Sequence, residues 1–415
     1  MSLENLPFKI DALKVFDKKI TLPSSKSHSN RALIIGAVRG KNFKVHNVSN
    51  SSDVSNLISA FKKMGLKLKV SGTTIEFENS FPNCEKDILE EVIHLETGDG
   101  GTTNRFLLAL LSLAKKQYHL YPTEKMSERP IEDLINPLKK LNVSILFNSH
   151  SKSDKKAWIV IKGPALTNNT DKLQIDCEKS TQFATAMMLA FSNSPLTFEF
   201  VNLHASETYL KMTEQVIKKS FESNSYIVPV DFSSLSYPVA LAALMGQVLI
   251  KNCTEIDFSQ ADSVLIEILK TSGAKCSLSI DGLEIKKALE LKPLTYNISS
   301  APDLFPTLVF LAAHIEGESV FSDLKILQFK ESDRLMQMIS LLKAFEVSMT
   351  YDSVIGILKI QGKSGFIYKS AVIRPARDHR IVMAAALFMA KNSGGELYEL
   401  DCVEKSFPAF LSLLE

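Results

Sequence analysis

Six times along the chain a short polar stretch runs straight into a dense apolar one: SSKSHSNR into ALIIGAV, GDGGTTNR into FLLALLSLA, KSTQ into FATAMMLAF, DFSSLS into YPVALAALMG, SSAPD into LFPTLVFLAAH, and ARDHR into IVMAAALFMA. Apolar residues on every face of a helix mark it as buried inside a layered domain. After each comes a half-polar segment with helical spacing: LISAFKKMG, INPLKKLN, MTEQVIKKSF, LIEILKTSG, MISLLKAFE and FPAFLSLLE. These predict outer amphipathic helices. Most lead into a strand or hairpin, as in LKLKVSGTTIEFE, SLSIDGLEIKK and SVIGILKIQG. Recurrence at a coarse period constrains architecture before any local detail does. Six such units divide naturally into two α/β domains of three. The Ser71-Gly72 and Asp281-Gly282 turns favour mixed sheets over purely parallel ones.

Proline restricts the residue before it to extended backbone. Pro23, after Thr21-Leu22, and Pro229, after Ile227-Val228, therefore suit two strands crossing between domains. The expected division is a discontinuous domain of residues 1–21 and 230–415 and a second domain of residues 22–229. Residues 149–157 read as a solvated hairpin tip.

A length of 415 residues exceeds what one core usually serves, which agrees with two domains. The net charge of +2 gives no global argument for nucleic acid or an anionic membrane, so any positive field must be local. Cys84, Cys177, Cys253, Cys276 and Cys402 are scattered and lack a C-x-x-C pair, which favours reduced thiols in a cytoplasm over disulfides or zinc. No apolar run approaches the ~20 residues a membrane span needs, and the start of the chain lacks a signal profile.

Candidate chemistry lies where polar meets apolar. Helix N-termini rich in Ser, Thr, Gly, Lys and Arg are potential anion sites. Lys26, Ser27 and Arg31 could hold a phosphate and a carboxylate together, or simply belong to a capped helix with solvated charges. Gly98, Gly100 and Gly101 let backbone approach a ligand closely, yet their spacing is neither a dinucleotide fingerprint nor a P-loop. Lys330, Glu331, Asp333 and Arg334, like Arg377, Asp378, His379 and Arg380, mix signs as surface ion pairs do. Their recurrence at comparable positions of a repeat is what singles them out.

Read in order, LPSSKSHSNRAL, GDGGTTNR, ERPIEDLINPLKKL, STQF, SETYLKMT, DFSSLSY, PDLFPTL, KESDRL, DHR and CVEKSFP resemble the 5-enolpyruvylshikimate-3-phosphate synthase family over essentially the whole chain. The resemblance implies two domains, each of three βαβαββ units around buried parallel helices. It implies transfer of the enolpyruvyl group of phosphoenolpyruvate to the 5-hydroxyl of shikimate 3-phosphate, with release of phosphate and with no metal or organic cofactor. It further implies that Lys26, Ser27, Arg31, Ser180, Thr181, Gln182, Ser206, Tyr209, Asp303 and Lys330 contact shikimate 3-phosphate. Phosphoenolpyruvate falls to Lys26, Gly101, Arg129, Gln182, Arg334, Arg380 and Lys405. Asp303, Glu331 and Lys26 are the implied acid/base groups. By their setting alone, Asp303 could equally be a helix N-cap, and Glu331 a solvated partner of Lys330. His379 reads as an orienting group between Asp378 and Arg380. The implied partners are these small molecules, with no nucleic acid and no membrane, for a cytoplasmic monomer. Sensitivity to glyphosate at the phosphoenolpyruvate site is also implied.

Departures from the family pattern include Asp99 in place of asparagine, Thr181 in place of serine, Thr208 in place of proline, Phe106, and Ile326 where some members carry asparagine. Asp99 would have to turn away from an anionic ligand or be offset by Arg105. Two alternatives stand beside the main reading. One is the UDP-N-acetylglucosamine enolpyruvyltransferase, whose lysine-asparagine start and loop cysteine have no counterpart here. The other is a catalytically silent two-domain anion-binding protein.

Overall fold

A computed structural model of the chain describes residues 6–148, 157–167, 172–204 and 206–415. Of the expected hairpin tip, residues 149–156 lie outside the described residues. The chain forms two compact units: a discontinuous unit of Met1–Pro23 and Val230–Glu415, and an inserted unit of Ser24–Pro229.

At the centre of the inserted unit the helices Lys26–Arg39, Gly101–Leu111 and Gln182–Ala190 pack on one another. Every residue from Ala32 to Ala37 and from Phe106 to Leu111 is buried, so these helices are apolar all round because protein encloses them all round. Gly36 allows the first helix to touch the Phe77 ring, in space a Cβ would occupy. Strand Lys44–His46 runs parallel to Ser225–Ile227 and antiparallel to Thr74–Phe77, which closes a hairpin with Leu68–Ser71. The second sheet repeats the plan: Val92–Gly98 parallel to Gln117–Pro122, then Ile159–Lys162 and Ser144–Phe147 antiparallel. The third is reduced to the parallel pair Leu173–Asp176 and Phe198–Val201 among the described residues.

The discontinuous unit repeats this around the helices Phe232–Met245, Phe305–Ala313 and His379–Lys391. Phe16–Ile20 pairs in parallel with Gly246–Ile250, followed antiparallel by Gly282–Lys286 and Lys275–Ser279. Thr295–Asn297, Gly317–Ser322, Ile357–Gly362 and Ser348–Asp352 follow the same order. Its third sheet joins Ala371–Ile373 in parallel to Gly395–Leu397, with Phe8–Ile10 antiparallel on the other side. The first sheet of each unit thus takes one strand from a distant part of the chain, Phe16–Ile20 in one and Ser225–Ile227 in the other.

The outer helices are Ser52–Lys63, Glu132–Lys140, Glu207–Glu222, Val264–Ser272 and Arg334–Ala344. The sixth expected one, FPAFLSLLE, is instead a short 3-10 turn at Phe410–Leu413. No described helix is long and apolar enough to cross a membrane.

Candidate active site

In the inserted unit, Ser25 caps the first central helix and Lys26 and Ser27 open it. Lys26 Nζ lies 3.0 Å from an oxygen of the buried Asp53, at the start of the adjacent outer helix. One turn on, Arg31 is 2% exposed. Its guanidinium donates to the Ser27 carbonyl (2.9 Å), the Thr213 hydroxyl (2.9 Å) and the Tyr209 carbonyl (3.4 Å). All of these acceptors are neutral. Burial pulls the Arg31 pKa down to about 10, because the cation has lost water without gaining a counter-charge there.

The other two helix starts carry the remaining expected residues. Gln182 opens the third helix, and its N–H donates to the Ser180 hydroxyl at 3.2 Å. Its side-chain oxygen accepts from Arg105 at 2.7 Å, and Arg105 also donates to the Pro130 carbonyl at 2.7 Å. Burial, and then the nearby Arg129, hold the Arg105 guanidinium well below its ordinary pKa. Thr181 is buried beside Gln182. Ser206, buried and in the left-handed region at φ 62°, reaches Tyr209 through its carbonyl, which accepts the Tyr209 N–H.

The glycines of GDGGTTNR serve neighbouring side chains. Asn56 fills the space at Gly98 and Asp53 the space at Gly100, while a Cβ on Gly101 would stand 2.5 Å from the Arg129 guanidinium. Arg129 Nε is buried without a hydrogen-bond partner among the described residues. Asp99 accepts from the Thr123 hydroxyl at 3.0 Å. Arg105 is not its counter-charge, since that guanidinium is committed to Gln182 and Pro130.

The discontinuous unit assembles the other expected residues around carboxylates. Asp303 lies in the turn Pro302–Leu304, where Leu304 rather than Asp303 takes the cap position of the following helix. The N-cap alternative is thereby corrected: the Asp303 side chain accepts from Arg334 at 2.7 Å and Arg380 at 3.0 Å, with Lys330 Nζ at 3.8 Å. Burial pushes its pKa upward, but Arg380, Lys330 and Arg334 together outweigh that and hold the carboxyl well below the usual range. Glu331 is not a solvated partner of Lys330. It lies 3.1 Å from Lys405 Nζ and 2.9 Å from His379 Nδ1. His379 thus orients Glu331.

Behind these stands Asp378, wholly buried, which caps the His379–Lys391 helix through the Arg380 N–H. It accepts from Arg334 Nε at 2.9 Å and Nη2 at 3.3 Å, and from Ser332 at 3.1 Å. Of the two clusters, Glu331, Arg334, Asp378, His379 and Arg380 thus form a largely buried network, whereas Asp333 is exposed and Arg377 makes half-exposed ion pairs with Glu399 and Asp401. Ligand atoms of Glu331, Asp378 and His379 come within 4.8 Å of one another. Arg334 and Lys405 already neutralise that group, so it is poorly suited to a further cation.

Sequence reasoning missed Asp53, Thr213 and Asp262, and left open the task of Arg105, which the structure joins to Gln182 and Pro130. Asp262 is 2% exposed, accepts from Ser233, and lies 4.0 Å from Arg380. Desolvation raises its pKa to about 6 despite Arg380. Its only sequence signal is a carboxylate beside the apolar start of an outer helix, which is common in any helix.

The EPSP synthase (3-phosphoshikimate 1-carboxyvinyltransferase) family profile matches residues 10–221 and 218–414. The 3-phosphoshikimate 1-carboxyvinyltransferase of Pyrococcus abyssi is 30% identical over 428 residues, covering 99% of this chain and 96% of that protein. That of Haemophilus ducreyi is 26% identical, covering 98% and 97%. In fold the chain is similar to the EPSP synthase of Acinetobacter baumannii (TM-score 0.72, 23% identity, 98% and 96% covered). It is also similar to the enolpyruvyl transferase NikO of Streptomyces tendae (TM-score 0.69, 12% identity, 99% and 97% covered). With two cation-lined clusters at the starts of repeated helices and a family profile matched along nearly all its length, the chain belongs to the EPSP synthase family.

Proposed function

We propose that this chain transfers the enolpyruvyl group of phosphoenolpyruvate to the 5-hydroxyl of shikimate 3-phosphate, releasing phosphate. The observation that carries this reading is Asp303, an ionised carboxylate between Arg334, Arg380 and Lys330, on a chain whose family is fixed along its length. The reaction needs anion grip and proton transfer, and the two units are differently equipped for them.

In the inserted unit Arg31, Ser27, Ser180, Thr181, Ser206 and Tyr209 suit a sugar phosphate. Lys26, Gln182, Arg129 and backbone at Gly101 suit the second anion. In the discontinuous unit Arg334, Arg380 and Lys405 take phosphoenolpyruvate oxygens, for which the planar arginine fork is fitted. As those cations turn to the substrate, Asp303 loses part of the field that holds its pKa down and becomes a stronger base. It then accepts the proton of the attacking hydroxyl. Glu331, oriented by His379 and Lys405, delivers a proton to the methylene carbon as the hydroxyl oxygen bonds to the neighbouring carbon. The adduct loses phosphate, and Glu331 takes a proton back from the new methyl group to restore the double bond. Lys26 shares the proton traffic, and the cations stabilise charge developing on phosphate and carboxyl oxygens.

Reduced cysteines fit a cytoplasmic setting, and the reaction needs no second chain. The UDP-N-acetylglucosamine alternative is not favoured by the family match. The test is phosphate release with each substrate alone and with both. Release only with both supports transfer, whereas release from phosphoenolpyruvate alone indicates a phosphatase, and none at all a silent binding protein.

A further inference from the structure

The strands Ala371–Ile373 and Gly395–Leu397 run in parallel register, and their backbone pairing ends where the Tyr398 N–H meets the Ile373 carbonyl at 3.1 Å. Beyond that point side chains hold the two segments together. Arg374 lies 3.5 Å from the centre of the Tyr398 ring and donates to its hydroxyl at 2.6 Å. Three residues on, Arg377 donates to Glu399 at 2.6 Å and to the two carboxylate oxygens of Asp401 at 3.3 and 2.5 Å. The same two segments then converge again on Glu331, through His379 from one and Lys405 from the other. A closed ring results. Arg377 clasps its outer side, and the Lys405–Glu331–His379 contacts close its inner side.

The arm that carries Lys405 needs such a clasp. It is a 3-10 segment, Leu400–Lys405, entered through Glu399 at φ 61°. Hydrogen bonds in 3-10 geometry are poorer than in an α-helix, and a left-handed non-glycine residue persists only where its surroundings hold it. Arg377 is half exposed, outside the group of side chains assigned to substrate. The sequence singled out RDHR as a cluster, and the proposed function left its first member, Arg377, without a task.

We propose that Arg377 is a positioning residue: its two-carboxylate clasp on Glu399 and Asp401 fixes the Leu400–Lys405 arm so that Lys405 meets Glu331. This rests on the reading above, that Lys405 and Glu331 face phosphoenolpyruvate. The geometry argues for position over stability. Exposed ion pairs contribute little to folding, whereas a bidentate fork imposes orientation. The clasp also explains why arginine stands here, since lysine can replace its charge but not the planar fork.

The test uses the full chain with Arg377→Ala, Arg377→Lys and Asp401→Asn, both substrates, and a salt series. Arg377→Ala should raise KM for phosphoenolpyruvate about tenfold while KM for shikimate 3-phosphate stays within about twofold, a partial form of the ~100-fold cost of misplacing a group. Arg377→Lys should recover part of the loss, and Asp401→Asn should show a smaller one. The gap between wild type and Arg377→Ala should narrow as salt screens the exposed clasp. An unchanged KM for phosphoenolpyruvate in Arg377→Ala overturns the proposal. So does a joint rise of both KM values with a fall in Tm, which marks a merely structural role. A wild type without phosphate release in the presence of both substrates overturns instead the functional reading beneath it.

Discussion

The arginines of the two units are held in opposite ways. In the inserted unit Arg31 donates to two carbonyls and a hydroxyl, and Arg105 to an amide oxygen and a carbonyl. Burial depresses the pKa of both. In the discontinuous unit Arg334 is as deeply buried, yet its pKa is raised, because Asp378 and Asp303 more than offset desolvation. A desolvated cation facing neutral dipoles gains most when an anion arrives. A cation already locked to carboxylates gains less, but its partners' protonation responds to any anion that competes for it. Under the proposed function, the inserted unit is the one that grips and the discontinuous unit the one that couples grip with proton transfer.

The largest expected effect attacks the proton-handling side. Glu331→Gln should lower turnover ~100- to 10,000-fold, the usual weight of a general acid/base, with much smaller changes in either KM. Near-normal turnover in a folded Glu331→Gln protein would remove it from the mechanism. On the gripping side, Arg31→Met should raise KM for shikimate 3-phosphate on the order of 100-fold, as truncating a buried hydrogen-bonded charge does. An equal loss with phosphoenolpyruvate would erase the contrast between substrates.

A smaller effect is expected from Thr213→Val, which removes the hydroxyl bonded to Arg31 Nε while keeping its shape. KM for shikimate 3-phosphate should rise about tenfold or less, the weight of one hydrogen bond to a charged group. Steady-state kinetics showing no change would mean that Arg31 is held by its carbonyl contacts alone.

The pH dependence of stability sharpens the comparison at the smallest scale. Asp303 and Asp378 have depressed pKa values, so their contribution is present above the unfolded value of about 4 and lost as pH falls through the lower folded ones. Asp262 runs the other way. Its folded pKa of about 6 lies above the unfolded value, so folding binds a proton between about pH 4 and 6 and stability falls as pH rises through that window. Thermal unfolding of Asp262→Asn across it should lack this fall. A wild-type slope in the mutant would show that Asp262 does not titrate there.

The sequence announced the repeat plan because buried and half-buried helices differ in pattern, and the Ser71-Gly72 and Asp281-Gly282 hairpins form where turn chemistry placed them. The distant pairings of Phe16–Ile20 and Ser225–Ile227, each within its own unit, were not legible, since pairing partners leave no local mark; the prolines at 23 and 229 stand where the chain passes from one unit to the other. Around the site, the start of each central helix stood out by its polar residues. Asp53 and Thr213 did not, because each sits on an outer helix among ordinary polar residues and gains meaning only through Lys26 and Arg31. The glycines of GDGGTTNR were legible only in part: a missing Cβ shows that something approaches, and here Asn56, Asp53 and Arg129 do so. For the same reason Gly101→Ala should disturb phosphoenolpyruvate as well as any competing anion, by displacing Arg129.

The most direct test of the division between grip and proton transfer is the affinity of Asp303→Asn for shikimate 3-phosphate, measured by calorimetry beside its turnover. The account predicts affinity within about tenfold of wild type while turnover falls ~100- to 10,000-fold. A loss of affinity as large as the loss of turnover would contradict it, and would make Asp303 a binding group instead of the base.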